Sequence, residues 1–150
     1  MGKKKEAEPG LPPPQALAEE ILHRALELTA RSQDLTGREG GPQSAQDALI
    51  SFGQLLLLGF CLAFGKIYPE KDLSDYENEV FLALSRLTLL EILQREAEDD
   101  EFEYFLTYYR SHFELLKKEV RESGGEFPEE DALSEELRQR LEDLFRRFFA

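Results

Sequence analysis

The sequence has 150 residues, 41% hydrophobic and 33% charged, a composition that indicates one globular domain and excludes a disordered chain. Its formal net charge of -13 would be repelled by the negatively charged phosphate backbone of DNA or RNA, so we expect no nucleic-acid partner. The single cysteine, Cys61, cannot form an internal disulfide, and we expect a small buried side chain in a reducing, cytoplasmic compartment.

The first 14 residues are charged and then rich in proline. They carry too few apolar side chains to build a core, and consecutive prolines favour extended polyproline geometry. We therefore predict a flexible tail over residues 1–14, acting as a tether or a docking arm, and a single helical domain over residues 15–150.

A first helix is predicted over residues 15–32, where apolar side chains recur at helical spacing at Leu17, Ile21, Ala25 and Leu28. Glu20 and His23 on this helix have the E-x-x-H spacing of ferritin-like di-iron proteins. A di-iron site needs a second such pair, and His112, the other histidine, is preceded at that spacing by Tyr109. We therefore predict no metal and no cofactor, with Glu20 on the surface and His23 partly buried.

The chain is organised around residues 48–68, which contain no charge before Lys66 and place apolar side chains on all sides of a helix. Such a helix is buried in protein or lies in lipid. Residues 48–65 reach the lower length limit for a membrane span, but the other helices carry apolar faces that need a buried partner. We predict an all-α bundle of four to five helices around a buried central helix at about 44–67. A membrane role for residues 48–68 is the alternative.

The third helix is predicted to begin at a capping box formed by Ser74 and Glu77, and to extend to about residue 93. Acidic residues then dominate positions 96–103, and the apolar pattern stops. We predict a break here, with Asp99 or Asp100 capping the next helix, and a single long helix as the alternative.

Two acidic pairs flank the third helix, Asp72 with Asp75 and Glu96 with Asp99. Their spacing is that of the magnesium-binding motifs in all-α nucleotide pyrophosphohydrolases, where carboxylates gather on facing helices. Here one pair lies at a helix start and the other beside a turn. Helix capping and solvation explain both pairs, so we predict no magnesium site.

The fourth helix, predicted over residues 101–122, has two apolar rows. The first has heptad-like spacing and is expected to pack on a neighbouring helix; it comprises Phe102, Leu106, Tyr109, Phe113, Leu116 and Val120. The second row lies roughly 120° away and comprises Tyr104, Tyr108, His112 and Leu115. This second row is a protein interface, a surface that stacks on a planar ligand or presents His112 as an axial ligand, or core beneath the last helix.

The last helix is predicted to begin at Pro128 or Ser134, and it ends in an aromatic and basic turn. Terminal turns fray, so apolar side chains there are costly to leave in water. We therefore predict that this turn and the second row of the fourth helix form or border one aromatic interface. The predicted partner-binding residues are Tyr104, Tyr108, His112, Phe145, Arg146, Arg147, Phe148 and Phe149.

Motifs for catalysis are missing from the sequence: there is no glycine-rich phosphate loop, no CxxC and no HExxH. We therefore expect a protein that is not an enzyme. The predicted function is a small helical protein–protein interaction module, such as an adaptor, assembly or regulatory subunit, that binds another protein or a second copy of itself. The alternative is a helical bundle that holds a metal or a planar cofactor.

Overall fold

The computed structural model describes residues 11–36, 42–122 and 132–149, and these ranges contain five helices and no strand. The predicted all-α bundle is confirmed. The helices are α1 (Pro14–Thr36), α2 (Pro42–Ile67), α3 (Ser74–Leu93), α4 (Asp99–Glu122) and α5 (Ala132–Phe149).

Helix α2 lies at the centre of the bundle and packs against all four of the other helices. Its side chains Leu56, Leu57, Phe60 and Phe64 are fully buried, as the apolar run predicts. At Gly53, an added methyl group would contact both Leu84 of α3 and Ala25 of α1, so two neighbours approach α2 here. In the described part of the chain, α2 alone is long and apolar enough to cross a membrane, and more than half of its most apolar stretch is buried inside the protein.

Helix α1 packs on α2, α3 and α5 through the four apolar side chains predicted for its stripe. All four are fully buried. The chain before it also contacts the bundle, because the Tyr76 hydroxyl donates a hydrogen bond of 2.6 Å to the carbonyl oxygen of Pro12, which is itself buried. Of the tail predicted over residues 1–14, residues 11–14 therefore lie against the bundle or in α1, and residues 1–10 lie outside the described residues.

The capping box predicted for the start of α3 is wrong. The Asp72 carboxylate accepts hydrogen bonds from both the amide and the hydroxyl of Ser74, at 3.0 and 2.8 Å. The Ser74 hydroxyl is thus a donor to the stronger, charged acceptor and does not cap the helix. The Glu77 amide bonds instead to the carbonyl of Leu73.

The predicted break between the third and fourth helices is confirmed. Gln94 adopts the left-handed conformation, with φ of 59°, and its amide bonds to the carbonyl of Leu90 to end α3. The carbonyl of Glu98 accepts the first helical bond of α4, from Phe102, and the Glu101 carboxylate reaches back to the Glu98 amide at 2.8 Å. Glu98 therefore occupies the N-cap position, one residue before the predicted Asp99, and the Asp100 carboxylate accepts a hydrogen bond from the Glu101 amide at 2.9 Å.

Helix α5 is held against α1 by ion pairs along one side. The nitrogen–oxygen distances in these ion pairs are 2.9 Å for Arg31 and Glu136, 3.1 Å for Arg140 and Glu27, and 3.3 Å for Arg147 and Glu20. Its apolar side faces the core through Leu137 and Leu144, which are buried. The helix begins at Ala132, between the two predicted start positions.

Candidate protein-interaction site

The residues predicted to bind a partner fall into two groups that the fold keeps apart. Tyr104, Tyr108 and His112 lie on α4, whereas residues 145–149 form the last turn of α5. Among the described residues, α4 packs on α2 and α3 and has no contact with α5. The two groups therefore lie on helices that do not pack on each other in the described structure.

The aromatic residues of the C-terminal turn face into the bundle. Phe145 stacks on Phe60 with ring centroids 4.8 Å apart, and Phe149 lies 6.0 Å from both Phe60 and Phe64. Phe148 is partly buried against the core, with the Arg147 guanidinium 5.7 Å from its ring centroid. This turn is occupied by contacts inside the protein.

The basic residues of the same turn also have intramolecular partners. Arg147 bonds to Glu20 of α1, and Arg146 bonds to Asp143 on its own helix at 2.9 Å. Arg146 remains the more open of the two, with 64% of its side chain exposed.

The row on α4, in contrast, is open to solvent. Tyr104 is 83% exposed, Leu115 56% and Tyr108 48%. The alternative in which this row forms core beneath the last helix is wrong, because α4 and α5 do not touch in the described structure. The first row supplies the buried side of the helix, where Tyr109, Phe113 and Val120 are buried.

A groove of about 340 Å³ lies between the C-terminal end of α3 and the exposed side of α4. Leu89 is buried at this groove, and Phe105 is held beside it by contact with the Tyr109 ring at 5.3 Å between centroids. The lining is mostly apolar and comprises Leu89, Leu93, Glu101, Tyr104, Phe105 and Tyr108. Two of the predicted partner-binding tyrosines therefore border a preformed apolar depression.

His112, the third predicted residue of the row, is turned towards α2. Its Nδ1 lies 2.6 Å from the Gln54 Oε1, and its Nε2 lies 3.4 Å from the Ser51 hydroxyl. Because the Gln54 amide nitrogen donates to the Tyr109 carbonyl at 2.8 Å, Gln54 Oε1 is the acceptor and Nδ1 carries the imidazole proton. His112 thus fixes α4 on α2, and the ring of Tyr108 lies 6.2 Å away on its outer side.

The Tyr109 hydroxyl is enclosed beneath this network. It faces the side chains of Thr88 and Gln54, with neither in hydrogen-bonding geometry. Burial raises the pKa of this phenol above its ordinary value, so it stays neutral.

The turn before α4 and the first turns of α4 are strongly acidic. Five carboxylates of this segment are exposed, namely Glu96, Glu98, Asp99, Asp100 and Glu103, and two of them, Glu96 and Asp99, line a depression that adjoins the groove. Arg95 binds the sixth, Glu101, through two hydrogen bonds of 2.6 and 2.9 Å. These bonds, with the one from the Glu98 amide, lower the pKa of Glu101 to about 2. Both carboxylate oxygens of Glu101 therefore accept hydrogen bonds that stabilise this turn.

The candidate metal ligands do not converge. His23 is 68% exposed and pairs with Glu27 at 3.2 Å, so the prediction that it is partly buried is wrong. Glu20 is the less exposed of the two, because Arg24 and Arg147 cover it. Burial alone would raise its pKa, but the two guanidinium groups outweigh burial and lower it. Within the described residues, no group of three or more His, Cys, Asp or Glu side chains is placed to hold a metal ion.

The two acidic pairs considered for magnesium lie at opposite ends of α3. A helix of 20 residues places them roughly 30 Å apart, too far for one ion. Asp72 is engaged with Ser74, whose two hydrogen bonds lower the pKa of its carboxyl.

Cys61 is less enclosed than expected, since its side chain is partly buried at the edge of the core. Burial nevertheless raises the pKa of its thiol to about 12, and the nearby Glu77 adds to this effect. The thiol stays protonated at neutral pH and is a poor nucleophile.

Sequence reasoning missed Gln54 and the leucines of α3 that complete the groove. Gln54 is fully buried, and an amide inside an otherwise apolar run was a usable signal that a polar partner lies opposite. The α3 leucines carried no such signal, because their pattern does not distinguish groove from core. Leu90, beside them, is 41% exposed.

No protein-family model matches the sequence, and no curated protein or solved structure matches it significantly. A function for this protein therefore has to be inferred from its own residues and geometry.

Proposed function

We propose that this protein is a non-catalytic helical interaction module of the cytoplasm, and that it binds a protein partner through the exposed side of α4. The observation that carries the proposal is the pair of exposed tyrosines, Tyr104 and Tyr108, on the border of the apolar groove.

The chemistry of these residues supports a binding role. Tyrosine combines a large apolar ring with a polar hydroxyl, and it is enriched at protein interfaces and among the residues that dominate binding energy. An exposed tyrosine gains most when a partner covers its ring, and Tyr104 has 83% of its surface still to be covered.

The rigidity of the support also favours binding. The Gln54–His112 hydrogen bond and the contact of Tyr109 with Phe81 of α3 fix α4 on the core, so the groove exists before a partner arrives. A preformed surface loses less conformational entropy on binding than a mobile one.

The cofactor-binding alternative has weaker support. Its best candidate residue, His112, uses both ring nitrogens in contacts with α2, and the Tyr104 ring is in solvent. Neither side chain is directed at an enclosed space that would hold a planar group.

The proposal is tested by affinity capture with the full-length protein, using the parent, Tyr104→Ala/Tyr108→Ala and a control, Tyr68→Ala. Tyr68 is 40% exposed and lies just beyond the end of α2, away from the groove. Captured proteins are identified by mass spectrometry, and self-association is measured by analytical ultracentrifugation.

We expect the parent and Tyr68→Ala to retain the same partner, or the same self-association, and the double variant to lose it. If the double variant retains everything that the parent binds, α4 is not the interaction surface and the proposal is wrong.

A further inference from the structure

We infer that the groove between α3 and α4 receives a basic amphipathic segment of the partner, with one large apolar side chain inserted between Tyr104 and Tyr108. This inference rests on the proposed function and specifies the chemistry of the partner.

The apolar part of the inference follows from the shape of the groove. Its volume of about 340 Å³ is at the small end for binding clefts, and it is lined by leucine, phenylalanine and tyrosine rather than by convergent polar groups. Such a depression accommodates an aliphatic or aromatic anchor. The exposed row from Tyr104 to Leu115 extends the apolar surface by about 16 Å along α4, the length of three helical turns. A partner helix laid along this row would bury it.

The basic part of the inference follows from the charges around the groove. Glu101 lines it directly, and Glu96 and Asp99 line an adjoining depression that shares Leu89. Arg95 is paired with Glu101, and Arg86 lines the adjoining depression with its guanidinium 4.1 Å from the ring centroid of Phe102. The carboxylates of Glu96 and Asp99 outnumber Arg86 there, so a segment that extends from the groove over the α3–α4 turn meets net negative charge.

The distribution of charge gives the bound segment a direction. Farther along α4, Arg110 and Lys118 flank the row together with Glu114, so that end is mixed in charge. The lysines and arginines of the partner are expected to lie over the α3–α4 turn, with its less basic end near Leu115.

The same charges disfavour two other occupants. A second copy of this chain, related by two-fold symmetry through the groove, would place two acidic turns close together in a protein whose net charge is already -13. An anionic membrane surface would be repelled by the same turn.

The test uses two fluorescein-labelled peptides of about four helical turns that share one apolar face bearing a single phenylalanine. One peptide has lysine on its polar face, and the other has glutamate at the same positions. Binding to the full-length protein is measured by fluorescence anisotropy at low and high salt. The variants are Tyr104→Ala/Tyr108→Ala, a charge variant Glu96→Gln/Glu98→Gln/Asp99→Asn and a charge control Glu70→Gln/Glu119→Gln/Glu142→Gln.

We expect the basic peptide to bind and the acidic peptide not to bind. The tyrosine variant should weaken binding by about tenfold or more. The charge variant should weaken it about fivefold, and high salt should do the same, because exposed charge pairs are screened. The charge control, which removes equal charge at exposed sites elsewhere, should change affinity less than about twofold, since those charges act only over long range.

Failure of the basic peptide to bind, or equal binding of both peptides, overturns the inference. The same holds if the charge variant and the charge control behave alike. None of these results affects the proposed function if the affinity-capture experiment still shows a partner that depends on Tyr104 and Tyr108. Loss of that dependence overturns both.

Discussion

Two regions of this protein each carry a pair of aromatic residues four positions apart on a helix, but the two pairs have opposite surroundings. In the last turn of α5, Phe145 and Phe149 pack on Phe60 of the central helix. On α4, Tyr104 and Tyr108 point into solvent beside a groove. Both regions supply aromatic residues beyond the single stripe that each helix needs for the core, yet only one of them is covered.

The difference is explained by what each helix packs against. Helix α5 packs on both α1 and α2, with three ion pairs to α1 and its phenylalanines stacked on Phe60 of α2. Helix α4 contacts α2 and α3 only, so its second row has no helix opposite it in the described structure. Excess apolar surface in a sequence therefore marks either core or interface, and the arrangement of neighbouring helices decides between them.

The largest expected effect comes from deleting the C-terminal aromatic turn. Truncation after Leu144 removes the rings stacked on Phe60 and the Arg147–Glu20 ion pair. The free energy of unfolding, measured by urea titration, should fall by at least about 3 kcal/mol. Complete burial of one phenylalanine side chain contributes roughly 1.5 to 3 kcal/mol, and each of the three phenylalanines removed here contributes less because it is partly buried. Arg146→Ala is the control and should change stability by less than about 0.5 kcal/mol. A truncated protein as stable as the parent would show that this turn is not core.

A smaller effect is expected from the polar contact that holds α4 in place. Gln54→Leu leaves the His112 Nδ1–H without its acceptor, and this should cost about 1 to 3 kcal/mol in the same urea titration. Gln54→Leu/His112→Leu removes both partners and should recover much of the loss, since neither group is then left unpaired. If the double variant is less stable than the single one, the hydrogen bond is not what stabilises this contact.

The turn between α3 and α4 should give a pH-dependent effect that is smaller still. Arg95 and the Glu98 amide lower the pKa of Glu101 to about 2 in the folded protein, from an ordinary value of 4.5. A depressed pKa contributes stability that is present above pH 4.5 and is lost as the pH falls towards 2. The stability difference between the parent and Glu101→Gln should therefore shrink across this range. A difference that stays constant from pH 6 to pH 2 would contradict the role of Glu101.

Much of the fold was predictable, because periodic apolar patterns specify buried helix faces. The stripe of α1, the central position of α2 and the break after α3 all follow from where apolar and acidic residues fall. The cap of α3 was not predictable from its motif, because Asp72 competes for the Ser74 hydroxyl. A motif records which groups are available, and local geometry determines which of them pair.

The candidate site was predicted in part, and its two halves illustrate the limit. The α4 row was identifiable as a second apolar face, but its exposure depended on α5 packing elsewhere. Helix α5 packs on α1 and α2 through Leu144, the stacked phenylalanines and three ion pairs, and the partners in each ion pair are more than a hundred residues apart in sequence. Pairings at such separations leave no periodic signal in a single sequence.

The central claim is that the tyrosines of α4 serve binding and the phenylalanines of α5 serve folding. The most direct test is the free energy of unfolding of Tyr104→Ala/Tyr108→Ala, measured beside the truncated protein. We predict a value within about 1 kcal/mol of the parent, since alanine is a good helix former, Tyr104 is mostly exposed and Tyr108 is half-exposed. A loss of about 3 kcal/mol or more, comparable with that of the truncation, would show that the tyrosines are core and would contradict this account.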